Sequence, residues 1–383
     1  MKSKMWDQST IQAFQESLLD WYYKNKRNLP WRADTDPYKV WISEIMLQQT
    51  RVDTVIDYYF RFMEEFPRIQ DLAEADEEKL LKVWQGLGYY SRVRNLKVAA
   101  NQIQEDFNGE FPDSVEGIRS LKGIGPYTAG AIASISFGLP EPAIDGNVMR
   151  VISRLFGVEE DIAKSSTYKI FDGILRAIIS HEHPGDMNQA LMEVGATVST
   201  PSAMECPAWL KPFCYACAHD AHDKFPVKTK KAKPKDVYYL AAVIENNAHE
   251  HLLIQRPENS LLAKMWHYPL KEVDVKEYQE LKQYWQKEDT NQLTLDLVSE
   301  DEAPDIFSEW PVVWQKRHLG EVTHTFTHLK WHILIFYGRT QNDFSPENGK
   351  WLDEQSFSTL VFPKVQQKII QQFNKTHKVR GHL

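Results

Sequence analysis

Two carboxylates sit where acid chemistry is possible. Glu44 lies in PYKVWISEIMLQQTR, residues 37–51, which reads as a mostly apolar helix. Trp41, Ile45 and Gln48 share one stripe of it, with Ile42 and Gln49 beside them. A carboxyl in such company has its pKa raised by desolvation and can stay protonated near neutral pH, as a general acid must. Exposure or a salt bridge, where most Glu residues are found, is the alternative. Asp145 precedes a stretch with Val148, Val151, Ile152 and Leu155 at helical spacing. Its commoner role at such a place is to cap the helix.

Groups able to hold a polyanion or a flat ring surround these acids in sequence. Gly123-Ile124-Gly125 forms a hairpin before Tyr127–Phe137, a small-residue segment whose free N–H groups at its start suit phosphate oxygens. Trp84–Leu96 holds a second Gly-x-Gly turn. Leu87 and Tyr89 at its tip could wedge into a base step, and Arg92 and Arg94 could hold phosphates. Arg27, Trp31 and Arg32 either wall a nucleotide pocket or end a helix with cations that complement its dipole. Gln48-Gln49-Thr50 suits base edges or plain solvent.

These residues need a scaffold, and the chain has length for one. Its 383 residues suggest two domains or three. A hydrophobic fraction of 42% and a charged fraction of 26% are ordinary for a globular protein. No apolar run reaches membrane-spanning length, and the N-terminal residues lack a signal-peptide core, so a cytoplasmic, nucleoid-associated location is expected. Net charge −8 argues mildly against nucleic-acid binding on average, though a local cationic stripe can still engage phosphates. Three cysteines within residues 206–217 do not make a secreted disulfide framework. The first helix is amphipathic through Ile11, Phe14, Leu18 and Tyr22, with Thr10 as its expected cap. Residues 1–224 read as helical, 225–236 as a Lys/Pro linker, and 237–377 as a domain with period-two strands. Strands are expected over 237–244, 251–255 and 325–337, then a helix bearing Val365, Ile369 and Phe373.

SEIMLQQT, GLGYYSR, LKGIGPYTAGAI and IDGNVMR, in this order and spacing, resemble the adenine-specific mismatch glycosylases of the MutY family. Tyr127 stands where the lyase relatives carry a Schiff-base Lys, which favours glycosylase over lyase action. The resemblance implies an all-α helix–hairpin–helix glycosylase domain followed by an α+β Nudix-like domain. It implies a monomer that acts on double-stranded DNA with adenine opposite 8-oxoguanine or guanine, and no membrane partner. By the same resemblance Glu44 protonates the leaving adenine and Asp145 stabilises or bonds to the sugar cation, with Tyr127 and Asn147 in support. This is retaining-glycosidase logic moved to an N-glycosidic bond. Arg27, Trp31 and Gln189 then line the adenine pocket. Gln49, Thr50, Leu87, Tyr89, Arg92, Gly123 and Gly125 meet DNA around a flipped base. Phe326-Thr327-His328 matches the family's Phe-Ser-His reader of 8-oxoguanine. The Glu-rich metal motif of active Nudix hydrolases is not visible near residues 261–269, so recognition without hydrolysis is expected. The rival readings are a same-fold glycosylase or lyase with another target base, and an inactive lesion-binding protein.

One departure from the pattern concerns a cofactor. The family usually holds a [4Fe–4S] cluster with four Cys. Their places here are Ser199, Cys206, Trp209 and Tyr215, so no cluster is expected. Cys206, Cys214 and Cys217 with His222 (or His219) form a looser zinc alternative, against a metal-free loop packed by Trp209, Phe213 and Tyr215.

Overall fold

The computed structural model describes residues 4–202, 205–230, 232–284, 306–315, 317–342 and 344–378. The chain forms two compact units, Met1–Val83 with Ser91–Lys231, and Trp84–Tyr90 with Ala232–Leu383. Among the described residues no helix is long and apolar enough to cross a membrane.

The helices up to residue 218 are α1 (Gln8–Asn25), α2 (Pro37–Leu47), α3 (Val52–Glu65), α4 (Ile69–Ala73), α5 (Glu77–Trp84), α6 (Ser91–Asp106), α7 (Val115–Ser120), α8 (Pro126–Phe137), α9 (Gly146–Phe156), α10 (Tyr168–Ile178), α11 (Pro184–Thr197) and α12 (Tyr215–Ala218). The apolar stripe of α1 is buried as its spacing requires, with Phe14, Leu18 and Tyr22 packed among Val148, Val151, Ile152 and Leu155 of α9. Its cap differs from expectation. Asp7, not Thr10, is the N-cap, and its carboxylate accepts from the Thr10 amide at 2.9 Å. Asp is among the best caps, and a start there adds residues to the helix.

The helix carrying Glu44 stops at Leu47, four residues before the expected end. Arg92 accounts for the stop: its Nη1 donates to the carbonyls of Ile45 and Gln48 at 2.7 and 2.6 Å. Gln49 then turns the chain at φ 58°, a left-handed conformation uncommon for a side-chain-bearing residue. The hairpin before α8 needs its first glycine. Gly123 has φ 81°, and a Cβ there would lie 2.8 Å from the Asn95 Cβ. Inside α8, a Cβ on Gly130 would come within 2.2 Å of the Pro142 carbonyl oxygen, so the small-residue run lets the loop before Asp145 lie directly on the helix.

In the second unit the strands are β1 (Lys235–Glu245), β2 (His251–Gln255), β3 (Trp266–His267), β4 (Leu270–Val273), β5 (Val313–Trp314), β6 (Gly320–Thr325), β7 (Leu329–Arg339) and β8 (Gly349–Leu352). Helices α13 (Val275–Tyr284) and α14 (Lys364–Lys378) accompany them. One mixed sheet runs β3-β2-β1-β7-β5, with β4, β6 and β8 pairing β1, β7 and β2. The central β1 and β7 are parallel, from Lys235 opposite Leu329 to Glu245 opposite Arg339. Alternation divides their side chains between two cores. Ala241, Val243, Ile333 and Ile335 face Ile369 and Phe373 of α14, while Leu240, Ala242, Leu334 and Phe336 pack with Tyr278 of α13. The stretch 325–337, read as one strand, is two. The Phe326 amide donates to the Leu329 carbonyl at 2.7 Å and closes a tight turn between β6 and β7. Strong β propensity on both sides hid a turn that lacks Gly and Pro.

Candidate active site

Five parts of the helical unit converge on a cavity of about 840 Å³: the Pro30–Arg32 turn, the end of α2, the start of α8, the start of α9, and one face of α11. Its lining holds Arg27, Trp31, Glu44, Gln49, Thr50, Gly123, Gly125, Tyr127, Asp145, Asn147 and Gln189, eleven of the residues singled out from sequence.

Glu44 is 6% exposed. The Tyr127 hydroxyl donates to its Oε2 at 2.5 Å. Burial pushes the Glu44 carboxyl up to about 7, with the nearby Asp145 charge adding to the rise and Tyr127 and Arg32 opposing it. The acid is therefore poised to hold or release a proton near neutral pH. Burial and the two neighbouring carboxylates hold the Tyr127 hydroxyl well above its ordinary value, so it remains a donor.

Asp145 is the N-cap of α9, and it also lines the cavity. One oxygen accepts from the Val148 amide at 2.7 Å and the other from Asn147 Nδ2 at 2.8 Å. Burial raises its pKa, while these two bonds favour the charged form. The cap and the cavity position are two consequences of one geometry. The cap bond fixes the rotamer, and the start of a helix adds a positive potential beside the carboxylate. Arg150 completes the support. It is buried, and its Nη2 donates to Asn147 Oδ1 at 3.0 Å and to the Gly195 carbonyl at 2.8 Å.

Not all predicted residues gather here. Arg92 is turned to the end of α2 and Arg94 pairs with Glu77, so neither is set to hold a phosphate through its guanidinium. Leu87 is 7% exposed and therefore no protruding wedge, whereas Tyr89, at φ 48°, is 45% exposed. Tyr89 belongs to the second unit, where its hydroxyl lies 2.9 Å from Thr327 Oγ1 at the β6–β7 turn. Beside Thr327, Phe326 packs edge-on against Trp331 and His324, and the His328 carbonyl accepts from the Lys235 amide.

The loop after α11 does not fit a four-iron cluster. Ser199, Trp209 and Tyr215 offer no thiolate, and Cys206 is joined to Cys217 in a disulfide with Cα atoms 5.8 Å apart. The Ser199 hydroxyl accepts from Arg154 Nη1 at 2.8 Å. The zinc alternative fares no better. Two of its three thiols are consumed in the disulfide, Cys214 is buried against the Arg154 carbonyl, and His222 lies beside Asp220 and Asp223. Among the described residues no group of three or more His, Cys, Asp or Glu is placed to hold a metal ion. Trp209 stacks on Trp21 and Phe213 packs against Trp6 and Phe14, so aromatic contacts tie this loop to α1.

Residues 42–177 match the HhH-GPD superfamily of base excision DNA repair proteins, and residues 240–372 match the NUDIX domain. The chain is 32% identical to the human adenine DNA glycosylase, over 95% of this chain and 74% of that one. It is 31% identical to the adenine DNA glycosylase of Buchnera aphidicola, over 95% of this chain and 99% of that one. The chain belongs to the adenine DNA glycosylase family. It is a base excision repair enzyme, and DNA is its partner. A thermostable thymine-DNA glycosylase structure covers 55% of this chain and 98% of its own at 24% identity, with a TM-score of 0.51, which is a likeness of fold. As the family resemblance implies, the chain joins a helical HhH-GPD domain to an α+β Nudix domain.

Some residues of the site carried no reading from sequence. Arg150 and Arg154 are buried on α9, one turn apart, and nothing in the local pattern sets them off as inward-facing cations. Glu193 was legible by the signal that marked Glu44, an acid inside an apolar helical stretch, LMEVG.

Proposed function

We propose that this enzyme removes adenine from a mispair with 8-oxoguanine or guanine, on a base flipped out of the duplex into the helical cavity. The observation that carries the reading is the pair Glu44 and Asp145 in one cavity, both raised by burial, Glu44 held by the Tyr127 hydroxyl and Asp145 by the Val148 amide and Asn147. Glu44, with a pKa near 7, is the acid that donates its proton to a ring nitrogen of the departing base. Tyr127 holds that carboxyl in place. Asp145, steadied by the Val148 amide and Asn147, presents negative charge to the oxocarbenium-like sugar, or bonds to it before water attacks. Flipping is required because the reacting bond is inaccessible within a stacked duplex.

The reading extends to the second unit. Tyr89 and the Phe326-Thr327-His328 turn present one exposed polar edge, suited to an opposing 8-oxoguanine, and recognition there needs no hydrolysis. Work as a monomer belongs to the same proposal, as does work without a metal cofactor, which the Cys206–Cys217 disulfide and the absence of thiols at Ser199, Trp209 and Tyr215 support.

Single-turnover release of free base tests this, with duplexes holding adenine opposite 8-oxoguanine, guanine or thymine. Fast release from the first, slower from the second and none from the third is expected. Release of a different base would support another target. Tight binding to the 8-oxoguanine duplex without release would make the chain a lesion-binding protein.

A further inference from the structure

We propose that Glu193 is a positioning residue for the leaving-base end of the cavity: it fixes Arg27 and Arg32 in place and balances their charge beside Glu44. The inference rests on the reading that the cavity receives the departing base.

Glu193 lies on α11, one turn after Gln189, and its side chain is fully buried. Its Oε1 accepts from Arg27 Nε at 2.6 Å. Its Oε2 accepts from Arg27 Nη2 at 3.2 Å and from Arg32 Nη2 at 2.8 Å. Arg32 Nη1 in turn donates to the Arg27 carbonyl at 3.2 Å, so the two arginines and one acid form a closed knot. A two-pronged grip on the planar guanidinium of Arg27 leaves it little rotational freedom. Among the described residues Arg27 Nη1 meets no acceptor, on a side chain that lines the cavity and is 39% exposed. That nitrogen is the donor left for a hydrogen-bond acceptor on the edge of the base.

The charge of the knot matters as much as its shape. The charged and titratable groups that act on Glu44, line its cavity or meet the end of α2 are Tyr127 of α8, Asp145 at the start of α9, Arg27, Arg32, Arg51, and Arg92 of α6. Of these, the Arg32 guanidinium already pulls the Glu44 carboxyl downward. Glu193 pairs with both arginines and offsets their charge. Without that offset both cations act on Glu44 through a site of low dielectric, and the carboxyl loses its proton at lower pH.

The test is single-turnover adenine release by the full chain from an 8-oxoguanine·A duplex between pH 5.5 and 9. Native protein is compared with E193Q, E193D and R32Q, each checked for fold by circular dichroism. For E193Q we expect about a tenfold lower rate at pH 7.5 and an alkaline limb moved down by about one pH unit, as an unmasked cation near a carboxyl dictates. E193D keeps the charge and should keep the limb in place while the rate falls. R32Q removes a cation and should move the limb upward, so the charge argument remains testable if E193Q does not fold. A folded E193Q with the native limb, or E193Q and R32Q moving it in the same direction, overturns the proposal. No adenine release by the native chain overturns the functional reading, and the proposal with it. Native release with an unaffected E193Q overturns only the role of Glu193.

Discussion

Glu44 is itself buried and held by the Tyr127 hydroxyl inside a helical cavity, whereas Thr327 stands exposed on a two-strand turn and meets Tyr89 in the open. Both are polar groups fixed by a tyrosine hydroxyl, and solvent makes them different instruments. In the cavity, burial above all pushes the Glu44 carboxyl up to about 7, and the geometry is fixed by capping and by the buried Arg150. At the turn, water competes for every bond, so Thr327 can adjust preference between partners but cannot be strongly activated. Under the proposed function, strong, pH-dependent chemistry belongs to the first region and modest discrimination to the second.

Substitutions should separate the two regions by size of effect. Asp145→Asn keeps a cap oxygen for the Val148 amide but loses the charge beside the sugar. Release should fall by about 10³-fold or more with little loss of helix stability. Equal activity in this variant, by single-turnover release, would reduce Asp145 to a cap. The next largest effect is thermodynamic. Glu44 binds its proton more tightly when folded, with a pKa near 7 against an ordinary 4.5. Its contribution is therefore fully present below pH 4.5 and is lost as pH rises to 7. At pH 8 that loss amounts to about 3 kcal/mol. Glu44→Gln, which never ionises, should melt several degrees above the native chain at pH 8 and show little advantage at pH 4.5. An equal or lower melting temperature at pH 8 would contradict the burial argument.

A smaller effect of packing is expected at Gly130, where a Cβ meets the Pro142 carbonyl. Gly130→Ala should cost about 1–3 kcal/mol in denaturant unfolding, because backbone must move. The smallest changes belong to the exposed turn. Tyr89→Phe or Thr327→Val removes one neutral hydrogen bond and should narrow the rate ratio between 8-oxoguanine and guanine partners by about three- to tenfold. The limiting rate on the better duplex should stay unchanged. A loss of that limiting rate comparable to Asp145→Asn would erase the contrast between the regions.

What sequence revealed follows the same division. Glu44, Tyr127 and Asp145 were legible because they sit in motifs with fixed spacing and in helices with strong apolar periodicity. The β6–β7 turn was not, since Phe326-Thr327-His328 contains no turn-forming residue and lies between strong strand formers. The bonds from Arg92 to the end of α2 were not legible, because nothing local tells a guanidinium that caps a distant helix from one that faces solvent. The pairing of Cys206 with Cys217 depends on how the loop after α11 folds back, which spacing alone does not specify.

The most direct test of the central claim is the pH dependence of single-turnover adenine release, native chain against Glu44→Gln. A protonated Glu44 as the acid predicts a native rate that declines as pH rises through about 7 and a variant rate that is far lower and flat in that range. A native rate that stays level to pH 9, or a variant that keeps the same decline, would mean that Glu44 is not the group delivering the proton.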